Sequence, residues 1–264
     1  MTNPLDYVTT PMPDGGVFKI RPSSFAKFIQ YPHNFYRDEV LGENPFTYNT
    51  SSVIGTIVHY CCECVAKEEE VNMDHVNDYI WSKERHEEYD PDIVSAQFRL
   101  MAETIVNDYV LEQQDFLEIE TSHVVEIKDG YYVGGTIDAL QGVKTDCCIT
   151  DYKTYNSKTK PKAIPANYKY QLLTYAWILR KLGYNVTRIR LVYVNRNIDG
   201  GISEKTNKPL KSYPPEVTVL TETIEPSDFD FIEGLLDLCV DTMLASKAHP
   251  ELNHVIWHDP RLKS

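Results

Sequence analysis

No stretch of about 18 consecutive apolar residues occurs in the chain, so a transmembrane helix is not expected. The opening residues, MTNPLDYVTTPMPDGG, lack a basic start followed by an apolar run, so a secretory leader is not expected either. No segment recurs with a period of about 20–50 residues, which argues against solenoids and propellers. No G-x-x-x-x-G-K-[ST] loop is present, which excludes a nucleotide-driven motor of that type. Cysteine is sparse, with Cys61, Cys62, Cys64, Cys147, Cys148 and Cys239. Cys61-x-x-Cys64 is half of a zinc motif, but no second CxxC or spaced Cys/His pair completes it. The cysteines are expected to be reduced, in a cytoplasmic compartment, and to pack as small apolar side chains. What is present is the mixture of a soluble globular protein, 42% hydrophobic and 25% charged over 264 residues.

The formal net charge of −13 argues, taken alone, against a polyanionic partner. Its distribution points the other way. Residues 152–211 hold nine Lys and four Arg against Asp199 and Glu204, a net of +11, which leaves −24 on the remainder. Such a segment either attracts phosphate or is a solvated surface with internal ion pairs, and charge alone leaves both open.

Residues 1–20 read as an extended lead-in. Ser23 or Ser24 is expected to cap a helix running to about Tyr36. A helix over about 52–69 carries Ile54, Ile57, Val58, Cys61, Cys62 and Val65 in register, and helical stretches over about 73–88 and 91–114 follow. The period then shortens. Residues 117–127 alternate as a strand, Lys128-Asp129-Gly130 makes a hairpin turn, and 131–141 and 147–153 continue the meander. A helix over 167–183, a strand over 187–195, a strand over 216–224 and a helix over 227–247 complete the order. The fold class is α+β, a single domain over 1–264. It divides into N-terminal helices (20–69), a helical insertion (70–114), a core (115–196) and a C-terminal strand and helix (197–264).

The chemistry concentrates at Asp138, Asp151 and Lys153. Asp151 and Lys153 are two apart on one strand and share a face, while Tyr152 points away. Asp138 lies on the preceding strand in the apolar context GGTIDAL. Two carboxylates on neighbouring strands repel unless a cation sits between them, and hard oxygen ligands suit Mg²⁺ or Mn²⁺. Lys153 could then orient or deprotonate a water, or neutralise charge on a phosphate; the plainer alternative is an Asp–Lys ion pair. His59 and Glu63 are four apart on the 52–69 helix, as are Gln171 and Tyr175 on the later one. Beside a phosphodiester the second pair could hold a backbone or a base; otherwise both are ordinary helix-face residues. His254-x3-His258 has metal-compatible spacing but reads as a polar terminus.

In this order, GTIVHYCCE, GGTIDAL, ITDYKT and QLLTYA resemble the RecB-like branch of the PD-(D/E)XK nuclease superfamily, over about residues 20–196. SSFAKFIQYPHNFYRDEVLG is similar to the family's opening helix and Cys-Pro turn, with Tyr31 where iron–sulfur-bearing relatives place a cluster cysteine; no such cluster is expected. The resemblance implies a restriction-endonuclease-like core and a Mg²⁺- or Mn²⁺-dependent deoxyribonuclease. Its metal ligands would be His59, Asp138, Asp151 and the Tyr152 carbonyl, with Asp138, Asp151 and Lys153 catalytic. Gln171 and Tyr175 would position DNA and Glu63 would orient His59, with Glu120 a further, weaker candidate. Lys158, Lys160, Lys162 and Lys169 are the expected backbone contacts. An exonuclease of recombination, repair or phage DNA processing is implied, with any helicase or annealing protein a separate chain. The alternatives are a site-specific endonuclease and a silent DNA- or protein-binding module.

Overall fold

A strand too short for alternation to reveal opens the described fold, β1 (Phe18–Ile20), within what the sequence suggests is an irregular lead-in. The computed structural model describes residues 3–5, 10–44, 47–157, 159–198, 208 and 210–258. Helix α1 (Pro22–Gln30) starts at a proline, which has no N–H to satisfy, and Arg21 rather than a serine occupies the cap position. Ser24 is buried instead and accepts from Arg21 Nε at 3.2 Å. The expected single helix to Tyr36 breaks at Tyr31, because Pro32 disfavours helical backbone before it. The chain continues through α2 (Pro32–Phe35) and a π-helical turn, Tyr36–Val40.

Helix α3 (Thr50–Ala66) begins two residues early, because Asn49 and Ser52 cap each other's backbone N–H reciprocally. Asn72 caps α4 (Met73–Trp81), and Asp90 with Pro91 starts α5 (Pro91–Asp108). Helix α4 stops short of the expected 88. The segment after it turns back through an isolated His86–Tyr89 bridge, which buries Tyr89 with its hydroxyl donating to Ile80 O. Then come β2 (Phe116–Lys128), β3 (Tyr131–Val143) and β4 (Asp146–Tyr155). The β2–β3 turn holds Asp129 at φ 53° and Gly130 at φ 78°, the left-handed pair that a tight hairpin demands. Helix α6 (Ala166–Lys181) crosses to β5 (Val186–Asn195); β6 (Val217–Thr223), α7 (Pro226–Ala248) and the single turn α8 (Asn253–Ile256) follow.

The strand order is β1-β3-β4-β5-β6, with β2 also on β3. The meander β2-β3-β4 is antiparallel, whereas β4 and β5 are parallel, as a helical crossover requires. Strand β2 follows one edge of β3 for most of its length. The other edge is shared: β1 pairs with 131–133 and β4 with 139–143, leaving 134–138 between them without a strand partner. Both faces of the sheet are covered. Phe25, Leu172, Ile178 and Val240 of α1, α6 and α7 pack on Ile137, Ile149 and Leu191. Ile54, Val58, Ile80 and Met101 of α3, α4 and α5 pack on Tyr152, Val192 and Val194. The helical insertion is therefore the cover of the second face. Among the described residues no helix is long and apolar enough to cross a membrane, and all six cysteines are free and buried.

Candidate active site

The β3–β4 ladder runs from Val143 opposite Asp146 to Ala139 opposite Thr150, and stops one pair short of Asp138 and Asp151. There the strands part, and Asp138 Oδ2 accepts the Tyr152 N–H at 2.7 Å, taking the place of a strand carbonyl. His59 Nδ1 lies 3.3 Å from the same oxygen. Glu120 approaches from the other side. On β2 it falls opposite Asp138, between the pairs Ile119–Ala139 and Thr121–Ile137, and its φ of +48° breaks the alternation of the strand. A left-handed glutamate inside a strand costs about 1–3 kcal/mol, strain that the surrounding ladder must hold. As a result His59, Glu120 and Asp138 each offer a ligand atom within 4.8 Å of the others.

Asp151 is turned to a different set of partners. It is 4% exposed, with Lys153 Nζ 2.6 Å from Oδ2 and Gln171 Nε2 donating to Oδ1 at 3.3 Å. Lys153 also lies beneath the Tyr168 ring, 5.5 Å from its centroid, and Tyr168 packs edge-on against Tyr193, the β5 neighbour of Lys153. Gly55 of α3 approaches Thr154 closely enough that a Cβ there would sit 3.5 Å from its hydroxyl, which brings the histidine helix down onto β4.

Burial opposes the imidazolium of His59, but the charge of Asp138 outweighs it and raises the pKa. Burial likewise works against ionised Asp138, yet His59 and Lys153 hold its carboxyl below the ordinary range. Burial raises Asp151 despite Lys153, and Asp138 adds to the effect. Lys153 is desolvated too, but Asp151 and Asp138 keep its pKa above the usual value, so it stands as an ammonium at neutral pH. Glu120 is pushed up to about 8, by burial first and by Asp138 second. Three acids lie close together here, their charge held in check by His59 and Lys153 and by the raised pKa of Glu120. His59, Glu120 and Asp138 together, an imidazole and two carboxylates, form the donor set of a hard divalent cation, and the residues present fit one.

The other expected residues are placed as follows. Glu63 pairs with Lys67 at 2.5 Å, not with the ring of His59. Tyr175 is buried, packed beside Gly135 and Pro22. Lys160 is ion-paired with Glu216, Lys169 with Glu222 at 2.7 Å, and Lys162 is exposed; Lys158 lies outside the described residues. His254 and His258 are both exposed at the terminus, and His254 contacts Glu251 O. Spacing does not reveal the centrality of Glu120. Its signal is a charged residue in the middle of an otherwise alternating segment, LEIETSHVV, and its backbone conformation has no signal at all.

The family model of the PD-(D/E)XK nuclease superfamily matches residues 20–251. Among curated proteins there is no match. Solved structures with a similar fold include a protein of Eubacterium rectale whose exonuclease designation is provisional, at 12% identity and a TM-score of 0.50, covering 93% of this chain and 90% of that one. A phage-related exonuclease from Haemophilus somnus aligns at 16% identity with a TM-score of 0.38, covering 85% and 96%.

Proposed function

The chain belongs to the PD-(D/E)XK nuclease superfamily, and on that premise we propose that it is a metal-dependent deoxyribonuclease, acting as an exonuclease. The observation that carries the reading is the meeting of His59, Glu120 and Asp138 where β3 and β4 part, one residue from the Asp151–Lys153 pair. The proposed ligands of a Mg²⁺ or Mn²⁺ ion are His59, Asp138, Asp151 and the Tyr152 carbonyl, with Glu120 added. A bound divalent ion supplies the Lewis acidity that makes a water nucleophilic and offsets charge on the phosphate. The protein's own groups do the rest. Lys153, whose pKa two acids hold up, donates to the phosphate or to the attacking water and stabilises developing negative charge. Gln171 fixes the carboxylate plane of Asp151, and Tyr168 limits where the ammonium can move. Tyr175 acts from inside, setting the seat of α6 against β3. The exonuclease form follows the designation of the E. rectale neighbour. A role in recombination, repair or phage DNA processing, in the cytoplasm and beside a separate helicase or annealing protein, fits that form.

The test is incubation of linear and closed circular DNA with Mg²⁺, with Mn²⁺ and with EDTA. Loss of linear DNA alone, abolished by EDTA, is expected. Nicked circles would replace the exonuclease with an endonuclease, and binding without cleavage would leave a silent nuclease fold. Lys153→Gln should keep DNA binding and lose cleavage by about a hundredfold or more, the scale of one lost transition-state donor.

A further inference from the structure

Among the described residues the half-buried arginines are matched, with one exception. Arg21 pairs with Glu39 at 2.8 Å and Arg188 with Asp146 at 3.3 Å. Arg190 gives Nη1 to Tyr109 at 2.9 Å and to Gln141 at 3.1 Å. Among the described residues Arg196 has no carboxylate partner and its side chain makes one hydrogen bond, Nη2 to Ser51 Oγ at 2.7 Å. Burial pulls its pKa down, with no acid among the described residues raising it again. A guanidinium carries five donors, so most of its capacity is unused while it pays part of its desolvation. An anion would complete it.

Its position says which anion. Arg196 follows β5, and its N–H donates to Tyr155 O at 3.0 Å, two residues beyond Lys153 on β4. Ser51, Gly55 and His59 are successive members of an i, i+4 row that winds slowly along α3, and Gly55 rests on Thr154. Arg196 therefore stands at one end of the seam between α3 and β4, with the convergent acids further along it. Eight residues of helix separate Ser51 from His59, about 12 Å along the axis. One strand of a duplex covers that distance in about three or four nucleotides.

We propose that Arg196, steadied by Ser51, grips a phosphate of the bound DNA strand, internal or terminal, a few nucleotides from the bond that is cut. This rests on the deoxyribonuclease reading. Arg196 is a positioning residue here, since the chemistry lies further along the seam. Its removal should weaken the hold on the strand and leave the chemical step on a substrate too short to reach it.

The experiment compares the wild type with Arg196→Gln and Arg196→Lys. Anisotropy of a labelled single-stranded oligonucleotide in EDTA measures binding without turnover. Arg196→Gln should weaken binding about tenfold, as expected for one charge-assisted contact, and lower the slope of log affinity against log salt by about 0.7 on this single strand. Arg196→Lys should recover part of both. In cleavage with Mg²⁺, KM for the oligonucleotide should rise while turnover of a mononucleotide p-nitrophenyl ester is unchanged. A series of oligonucleotides with one uncharged methylphosphonate each should locate the phosphate: at one position the wild type loses affinity and Arg196→Gln does not. Running the series with and without a terminal phosphate separates an end group from an internal linkage. Equal binding and salt slope in wild type and Arg196→Gln overturns the proposal. So does an equal loss at every methylphosphonate position, or a loss that Arg196→Lys shares in full together with a fall in melting temperature, which marks a structural tie. Because the binding measurement needs no turnover, absence of cleavage by the wild type would overturn the nuclease reading while still deciding the role of Arg196.

Discussion

Glu120 is the side chain whose ionisation this site tolerates least. It is held at φ +48° opposite Asp138, and burial with that neighbouring charge lifts its pKa from an ordinary 4.5 to about 8. A folded-state pKa above the unfolded one means that protonated Glu120 favours the fold. That contribution is complete below about pH 4.5 and is lost as pH rises through about 8. In EDTA the melting temperature of the wild type should therefore fall across this window. Glu120→Gln should lack that part of the fall and should be the more stable protein at pH 8.5. The raised His59 and the lowered Asp138 contribute to both proteins and largely cancel in the comparison. With saturating Mg²⁺ the order should reverse, because a cation stabilises the ionised carboxylate and gains less from the amide. Parallel melting curves for the two proteins in EDTA would show that Glu120 is already ionised at no cost.

Helix α3 joins the apolar cover of one sheet face to the acids at its open edge, and its first turn depends on the reciprocal Asn49–Ser52 cap. Asn49→Ala should cost about 1 kcal/mol of unfolding free energy, read by urea denaturation, with cleavage at saturating metal intact. A loss of activity larger than the loss of stability would mean that the cap sets the angle at which His59 meets Asp138. Legibility also divides at this scale. The helices α3 and α6, the meander and the Asp-Gly turn follow from local period and turn chemistry, so their residues announce them. Strand β1 does not, since three residues cannot display alternation and its pairing with Tyr131–Val133 is decided by the tertiary fold. The starts of α1 and α3 were shifted by Pro22 and Asn49, which outrank the serines nearby. The His59, Asp138 and Asp151–Lys153 segments could be read from residue type and order. The turning of Asp151 to Lys153 and Gln171, and the entry of Glu120 in its place beside His59, could not. Those choices are made by where the strands part and by one left-handed backbone angle.

For the whole molecule, the sequence shows an acidic protein with a basic segment, and the fold shows that part of this basic charge is spent internally. Lys160 is tied to Glu216 and Lys169 to Glu222, both acids belonging to the β6 region outside the 152–211 segment. Exposed pairs of this kind contribute little to stability, about 0–1 kcal/mol each. Their larger effect is on the field that DNA meets, because a lysine already neutralised releases fewer counterions when it reaches a phosphate. Removing the two acids without touching the lysines tests whether this edge faces the substrate. The double variant Glu216→Gln/Glu222→Gln should melt within a few degrees of the wild type and bind single-stranded DNA several-fold more tightly at low salt. Its log affinity should fall against log salt with a slope steeper by about 1.4, two freed cations at roughly 0.7 each for a single strand. The advantage should vanish near 1 M salt, where the screening length shrinks to about 3 Å. If the slope matches that of the wild type while the variant remains folded, the 160–169 edge does not meet the strand, and the basic surface that does must lie along the α3–β4 seam.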